Sequence, residues 1–446
     1  MSILNVFFRQ IFSQPFVLMA LVVFVGYIAM KESFGKALGG AIKASVGILA
    51  MGMGSGALIS NFNILLNAVT AKTGLQGALL NTYSAMTAGY AVMDPILGEG
   101  VATTWGIYAL LVGFLFNLLW VALRKWTKMR TVYLTGNAMI VQAGISVFIV
   151  WKFLGTGMIP TVLIAGFVTS LYWAFFPTLL IKPTHEITGA DFTVAHQQML
   201  MDYVAYKIAP KLGDPKKDDI ERMKLPKSLN ILQDSVIATA LVFIVSTIII
   251  FLIVGSEGID EMRKSFNQGG LTNNVVFLIW VCMTLTANIV VLLYGVRMFV
   301  GEIMMSFKGI SEKLLPGAVA GVDCAAIYGF APKSVVLGLI CGVIGEAIGI
   351  ALLLIFKSPV FLIPSFIPLF FDNATVAIFA NKFGGWKAAS IIVIINGILQ
   401  IVLSAACVAL LNVTAWQGVS DYCNIWLVVI ALFKGIGAML GIPVMG

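Results

Sequence analysis

The sequence predicts an all-α polytopic membrane protein with about eleven transmembrane helices. Of its 446 residues, 60% are apolar and 11% are charged, whereas soluble domains average roughly 45–50% apolar and 25% charged residues. Apolar runs of about twenty residues recur along the chain, the length that a helix needs to cross a bilayer. These runs lack the alternation of a membrane β-strand. The apolar excess therefore indicates a bilayer rather than a large soluble core.

The apolar runs fall into uninterrupted segments and broken ones. Predicted spans are 14–30, 37–56, 101–123, 132–152, 158–181, 229–254, 274–296, 333–356, 388–412 and 424–441. Glycine and proline interrupt the apolar regions 57–98 and 358–386. Broken backbone is costly in lipid unless protein buries it or it lines a wet cavity. These two regions are therefore predicted to be re-entrant segments around a transport site.

The two halves of the chain carry a weak internal repeat. The pair Gly77-Ala78 recurs as Gly317-Ala318, and similar matches share offsets of roughly 225 to 240 residues. Equivalent loops differ in their lysine and arginine content, which sets the orientation of membrane helices. Opposite orientation predicts two inverted repeats, at 1–181 and 229–446, joined by a cytoplasmic linker at 182–228.

The net charge of +8 comes from 28 lysines and arginines against 20 acidic residues. Basic residues concentrate in 124–130 and 182–228, as expected of cytoplasmic loops, so we predict no nucleic-acid partner. The five cysteines are scattered without metal-ligand spacing, so we predict neither a disulfide framework, nor a metal, nor a cofactor. The sequence contains no Walker motif and no nucleophile elbow, which argues against an ATP-driven pump.

Ionisable residues within apolar segments are expensive and therefore mark candidate sites. Asp323 is the strongest candidate, although its carboxylate could instead pair with a lysine or cap a helix. Glu346 could act directly or serve as a neutral packing group. In a second possible class of protein, a secondary transporter, either carboxylate could couple the movement of the solute to that of an ion.

Clustered hydrogen-bonding side chains indicate a hydroxylated ligand. His196 is followed by Gln197 and Gln198, and these side chains offer both donors and acceptors. Asn137 and Gln142 add similar groups in the fourth apolar segment. His196 or Asp323 is a candidate base.

The glycine-rich run around Gly54 and Ser55 has two interpretations. Its backbone N–H groups could bind an anion if a half-helix begins there, or its small residues could allow close helix packing. Since no lysine or arginine is evident in the predicted core, Gly54–Gly56 are candidates for holding a ligand's negative charge.

Several stretches resemble one transporter family over nearly the whole chain. They are LNTYSAM (80–86), RTVYLTGNAMIVQAG (130–144), AHQQML (195–200), DYVAYKIAP (202–210), the run from 295 to 332 and FIPLFFDNATVAIFANKFGGWKAA (366–389). They resemble the L-ascorbate permeases, the membrane IIC components of the ascorbate branch of the phosphoenolpyruvate-dependent sugar phosphotransferase system, within the ascorbate/galactitol-type IIC superfamily.

The resemblance implies a homodimeric permease of the bacterial inner membrane. In that family a V-motif domain forms the dimer interface, and a core domain holds the sugar acid and moves against it. A separate IIB protein carries a phosphocysteine that phosphorylates the solute, and a IIA protein supplies IIB. By the same resemblance, ligand contacts fall on Ser55, Thr82, Tyr83, His196, Gln197 and Asp323.

The chain departs from the family at two positions. The ascorbate permeases have histidine where Asn137 stands and glutamine where Val141 stands, and both positions contact substrate there. The resemblance implies L-ascorbate as the substrate, and these two departures leave another sugar acid or a polyol as the alternative.

Overall fold

The computed structural model describes residues 15–73, 78–80, 82–98, 100–223, 235–313, 315–360, 362–364 and 368–446. Helices dominate this part of the chain, as predicted. In chain order they are α1 (Pro15–Ala29), α2 (Phe34–Thr73), α3 (Thr82–Leu97), α4 (Val101–Ala122), α5 (Arg124–Thr127), α6 (Gly136–Leu154), α7 (Met158–Thr188), α8 (Met199–Leu212), α9 (Pro215–Asp218), α10 (Ser235–Ser265), α11 (Asn274–Lys313), α12 (Pro332–Ile355), α13 (Asn373–Leu411) and α14 (Ser420–Met439).

The prediction of a multi-pass membrane protein is confirmed. Within the described ranges, six helices are long and apolar enough to cross a bilayer. They lie in Val101–Ala122, Met158–Thr188, Asn274–Val291, Pro332–Ile355, Pro368–Leu411 and Ser420–Met439, and shorter apolar helices add Ala20–Ala29 and Ala138–Leu154. The total of eleven spans stays a prediction.

The helices divide into two blocks. The peripheral block consists of α1, α2, α10 and α11, which pack on one another. The central block contains the remaining long helices, with α12 against α13, α4 against α7, and α8 against α13. The peripheral block thus takes the first two helices of each half of the chain, in keeping with the predicted repeat.

Short parallel strands occupy the middle of the central block. They are β1 (Ala78–Leu80), β2 (Thr131–Tyr133), β3 (Phe192–Val194), β4 (Val319–Val322), β5 (Leu362–Pro364) and β6 (Ala415–Trp416). The strand orders are β5-β1-β6 and β2-β4-β3. The central strand β1 comes from the first half of the chain and pairs with two strands of the second half, whereas β4 comes from the second half and pairs with β2 of the first half and β3 of the stretch 182–228.

These strands were not predicted, because two to four residues are too few to show an alternating pattern. The repeat nevertheless points to them. Ala78 opens β1 and Ala318 immediately precedes β4, so the matched pairs of the repeat lead into the two central strands. The exchange of strands between halves ties the two repeats into one central block.

The predicted end of a span at residue 56 is wrong, although the region 57–98 is interrupted as predicted, because α2 ends at Thr73 and β1 and α3 follow it. Helix α2 runs unbroken from Phe34 to Thr73, for 40 residues. At 1.5 Å per residue it is about 60 Å long, well beyond the roughly 30 Å hydrocarbon core. Glycines and serines within a membrane helix permit close packing and need not end it. They were therefore a weak signal for a re-entrant segment.

The second predicted interruption is present. Residues 358–386 contain β5, a π-helical turn at Pro368–Asp372, and the start of α13. Helix α13 is kinked at Gly385, whose φ of 78° is left-handed. The break therefore places Asp372 and Asn373 at the N-terminal end of α13, within the central block.

The stretch 182–228 is only partly a solvated linker. Its first residues complete α7, and β3 with the start of α8 is buried. The later part folds over the kink of α13, where Asn381 Nδ2 donates to Asp219 Oδ1 (2.8 Å) and Asn381 Oδ1 accepts from the Ile220 N–H (3.1 Å). Residues 182–223 of this stretch therefore belong to the central block.

Candidate functional site

The carboxyl ends of the β2-β4-β3 strands bring the strongest sequence candidates together. The strands are parallel, so the residues that follow them meet at one edge. Asp323 and Cys324 follow β4, and His196 and Gln197 follow β3. Ligand-type atoms of His196, Asp323 and Cys324 all lie within 4.8 Å of one another. The sequence-predicted pair His196 and Asp323 therefore shares one site.

Asp323 caps the 3-10 turn at Cys324–Phe330, the alternative considered from the sequence. Its Oδ1 accepts hydrogen bonds from the Ala325 N–H (3.0 Å) and more weakly from the Cys324 thiol (3.5 Å). Among the described residues no lysine or arginine forms an ion pair with it. A cap uses one carboxylate oxygen, and an ionised carboxylate has acceptor sites to spare for a ligand.

His196 is held in a defined tautomer. Its Nδ1 lies 2.8 Å from Gln198 Oε1, which also accepts from the Gln197 N–H (3.0 Å). Because the Gln198 atom accepts from a backbone N–H, it is the amide oxygen, which cannot donate. Nδ1 of His196 must therefore carry the proton in this hydrogen bond. In the neutral ring the other nitrogen, Nε2, is then an acceptor. The half-buried His196 thus presents a basic nitrogen in the site.

Several buried polar atoms on segments that follow the strands have no partner in the described structure. They include Thr82 Oγ1, Gln142 Nε2, Gln197 Nε2 and Gln198 Nε2. Gln142 Oε1 accepts from Trp173 Nε1 (2.5 Å), so only the amide nitrogen is free. Buried polar groups are nearly always paired in native proteins. Unpaired groups on the segments after β1, β2 and β3 therefore indicate space for a hydrogen-bonding ligand.

The structure also contains buried aspartates, Asp421 and Asp372, that the sequence did not single out as site residues. Asp421 Oδ1 accepts from the Leu200 N–H (3.0 Å), and its Oδ2 accepts from the Tyr172 hydroxyl. The Asp421 N–H donates in turn to the Gln197 carbonyl (2.9 Å). Asp421 therefore fixes the loop that carries His196 and Gln197. Its position at the edge of an apolar segment was the available signal.

Asp372 is the second of these buried aspartates. Its Oδ2 accepts from the Ser420 N–H (2.8 Å), the Ser420 hydroxyl and Gln400 Nε2 (2.7 Å). Its Oδ1 has no partner, and the fully buried Asp202 on α8 has none for either oxygen. Glu346 on α12 is also buried, and its Oε2 is unpaired.

The structure contradicts one predicted source of positive potential. Gly54 and Ser55 lie inside α2, in the peripheral block, not at a helix start. Backbone N–H groups inside a helix bond to the carbonyl four residues earlier and are not free to bind an anion. The proposal that Gly54–Gly56 hold the ligand's charge through their N–H groups is therefore wrong.

Two other helix starts provide free N–H groups near the strands. Thr82 and Tyr83 begin α3 after β1, and Gly136 and Asn137 begin α6 after β2. Such N-termini favour anions. The side chains of Ser55, Tyr83 and Asn137 lie outside the described part of the structure, so their direct contacts stay predictions.

A buried cation is present but not at the site. Lys152, on the last turn of α6, is 2% exposed, and its Nζ donates to the Met445 carbonyl (3.0 Å). It lies fifteen residues along α6 from Asn137, about 22 Å away at 1.5 Å per residue. It therefore does not neutralise a ligand bound beside Asn137.

The cysteines are buried and unpaired by disulfides, as predicted. Cys324 is the one whose sulfur lies beside His196 and Asp323. Its thiol donates to Asp323 and lies 3.7 Å from the Tyr328 hydroxyl. Three ligand types close together resemble a metal site, but these hydrogen bonds account for the thiol's position.

Comparison with known proteins places the chain in a family. Residues 10–422 match the family model for the PTS system sugar-specific permease component. The chain is also 30% identical over 438 residues to the curated "Ascorbate-specific PTS system EIIC component" of Mycoplasma pneumoniae, covering 90% of this chain and 66% of that relative. The chain thus spans slightly less than two thirds of the relative's length.

Proposed function

Because this chain belongs to the family of PTS sugar-specific permease components, we propose that it carries L-ascorbate across the bacterial inner membrane. The solute would be phosphorylated on the cytoplasmic side by a separate IIB phosphocysteine protein, which a IIA protein recharges. Support for the substrate comes from the name of the Mycoplasma relative and from the chemistry of the site.

One observation carries this proposal. His196 and Asp323 lie within 4.8 Å of each other beside buried amides that lack partners. The unpaired amide donors of Gln142 and Gln197 suit the oxygens of a polyhydroxylated solute. An ionised Asp323 carboxylate has no proton to donate, so it accepts a hydrogen bond from a solute hydroxyl. The site thus combines hydroxyl recognition with a base.

The mechanism follows from these groups. Ascorbate is an anion at neutral pH, and the N-termini of α3 and α6 supply partial positive charge. Gln142, Gln197 and Thr82 bond its hydroxyl groups. His196 Nε2 takes the hydroxyl proton as the phosphoryl group leaves the partner's cysteine sulfur for the solute oxygen. The added negative charge then keeps the product inside the cell.

A different sugar acid or a polyol is the second candidate substrate. Val141 is fully buried and brings no polar group to a position where the ascorbate permeases have glutamine. A site that loses a hydrogen-bonding group changes its discrimination among hydroxylated ligands. An ion-coupled secondary transporter remains the rival mechanism, with Asp323 or Glu346 as the coupling carboxylate.

The proposed assembly is a homodimer formed through the peripheral block. In the family that the sequence resembles, the V-motif domain forms the dimer interface, and we assign that role to the peripheral block. Its helices expose large apolar side chains, including Phe34, Met53, Leu252 and Val275. Lipid and a second copy of the chain are the partners that such faces suit. We further propose the inverted repeats at 1–181 and 229–446 as the basis of alternating access.

The test compares the two histidines of the chain. His196→Gln should abolish phosphorylated uptake of L-ascorbate in vesicles supplied with the phosphotransferase proteins. His185→Gln is the matched control, because His185 is exposed at the end of α7 and its Nδ1 contacts only neighbouring loop residues, the Ala190 carbonyl (3.2 Å) and the exposed Asp191 carboxylate (3.8 Å), in the described structure. Uptake by His196→Gln at the wild-type rate would show that the His196 imidazole does not act as the base.

A further inference from the structure

The residue that follows strand β6 is a glutamine whose side-chain amide has no hydrogen-bond partner in the described structure. Gln417 follows Trp416 and is fully buried. Neither its Nε2 nor its Oε1 has a hydrogen-bond partner in the described structure. An amide offers two donors and two acceptor sites, and leaving a buried group unpaired costs about 1–3 kcal/mol. Gln417 therefore lowers the stability of the ligand-free protein.

The other sheet places Gln417 beside a predicted ligand contact. Strands β1 and β6 are parallel, with Leu80 opposite Trp416. Thr82 and Gln417 follow these paired residues and so lie at the same sheet edge. The Thr82 hydroxyl is unpaired. The buried Tyr422 hydroxyl lies close to the Gln417 amide, and it too has no hydrogen-bond partner in the described structure.

This edge faces the site that contains His196. Four residues after Gln417, the Asp421 N–H donates to the Gln197 carbonyl (2.9 Å). The loop after β6 therefore touches the loop after β3. The two sheets thus bring their carboxyl ends to one space, with His196, Gln197 and Asp323 on one side and Thr82 and Gln417 on the other.

A second buried glutamine shows what a structural amide looks like in this protein. Gln400 Nε2 donates to Asp372 Oδ2 (2.7 Å) and to the Gly418 carbonyl (3.1 Å). Its Oε1 accepts from Asn373 Nδ2 (3.0 Å). Gln400 is as buried as Gln417 but uses both ends of its amide. The contrast indicates that the Gln417 amide forms its hydrogen bonds with a molecule other than this chain.

We infer that Gln417 is a substrate-binding residue of this permease. Its Nε2 donates to, and its Oε1 accepts from, a hydroxyl group on the uncharged part of a polyhydroxylated solute. Thr82 completes this subsite, which faces His196 and Asp323 across the bound molecule. The inference rests on the proposed function for the identity of the solute, but the unused amide is independent of it.

The experiment compares Gln417→Met with Gln400→Met in the full-length protein. Methionine keeps the size of glutamine and removes both hydrogen-bonding ends. The midpoint of thermal unfolding is measured in detergent without ligand, and L-ascorbate affinity is measured by calorimetry. We expect Gln417→Met to unfold at or above the wild-type temperature and to bind ascorbate at least about tenfold more weakly, as loss of about 1.4 kcal/mol gives. Gln400→Met should unfold at a lower temperature.

Wild-type ascorbate affinity in Gln417→Met would overturn the inference. If the wild-type protein itself binds no ascorbate, the proposed substrate fails, and thermal unfolding decides the inference alone. A destabilisation of Gln417→Met comparable to that of Gln400→Met would then show that the Gln417 amide bonds within the protein. An unchanged or raised unfolding temperature would support an amide reserved for a ligand.

Discussion

At the scale of single residues, Asp323 has a structural role, and the proposed function gives it a ligand-binding role as well. One carboxylate oxygen caps the turn at Cys324–Phe330. Asparagine is as good a cap as aspartate, but it carries no charge and brings a donor. The two roles can therefore be separated by substitution.

Asp323→Asn should abolish solute uptake while the protein still inserts and unfolds near the wild-type temperature. The amide oxygen keeps the bond from the Ala325 N–H, whereas the site loses its ionised acceptor. Uptake by vesicles and thermal unfolding in detergent measure the two effects. Asp323→Ala is the control and should also lose about 1 kcal/mol of stability with the cap. Near-normal uptake by the asparagine variant would exclude Asp323 from the site.

Asn137→His should strengthen L-ascorbate binding. The resemblance places a histidine at this position in ascorbate permeases, and Asn137 begins α6, where the helix N-terminus faces the strand ends. Calorimetric titration of the purified variant tests the effect. An affinity equal to the wild-type value would mean that this position does not set specificity.

Much of the site could be predicted from the sequence, because ionisable and amide side chains stand out in apolar segments. Asp323 and Gln142 were proposed in this way, and His196 and Gln197 were proposed as clustered hydrogen-bonding side chains in the polar stretch 182–228. Gln417 could not be, since it lies in a short polar connection that has the composition of an ordinary loop. Only the pairing of β6 with β1, between residues more than 300 positions apart, brings it to the site.

At the scale of elements, some uninterrupted spans were predicted to within a residue or two, whereas others continue well past their predicted ends, as 274–296 does in Asn274–Lys313. The helices at Val101–Ala122 and Pro332–Ile355 match the predicted 101–123 and 333–356. Prediction failed where glycine was ambiguous. The glycines of α2 continue a helix, whereas Gly385 bends α13, and the difference lies in tertiary contacts that composition does not reveal.

Gly385→Ala should destabilise the central block. Gly385 has φ 78° and ψ 174°, a region that essentially only glycine adopts, so an alanine there costs about 1–3 kcal/mol. Its Cβ would also lie 2.6 Å from Asp218 Cβ, so α9 could not stay on the kink. We expect a lower unfolding temperature and reduced uptake. Gly269→Ala is the control, because its Cβ would meet nothing within 4 Å. Equal stability of the two variants would contradict this account of the kink.

At the scale of the whole molecule, the peripheral block should hold two copies of the chain together. In mild detergent we expect light scattering to give twice the mass of one chain after subtraction of the detergent. Cross-linking in native membranes provides the control for dissociation by detergent. A monomer in both measurements would leave the exposed apolar faces of α1, α2, α10 and α11 to lipid alone.

The two blocks also explain how one site could serve both sides of the membrane. The carboxyl ends of both sheets lie in the central block, while the peripheral block packs mainly on itself. A rigid central block that moves against the peripheral one would carry the site with it. The sheets strengthen the central block, because each contains strands from both halves of the chain.

The most direct measurement is uptake of labelled L-ascorbate by vesicles containing this protein, with and without phosphoenolpyruvate and the IIA, IIB and phosphocarrier proteins. The proposed function predicts accumulation of a phosphate ester only when all of them are present. Accumulation of unmodified ascorbate on an ion gradient alone would contradict it and establish the ion-coupled mechanism.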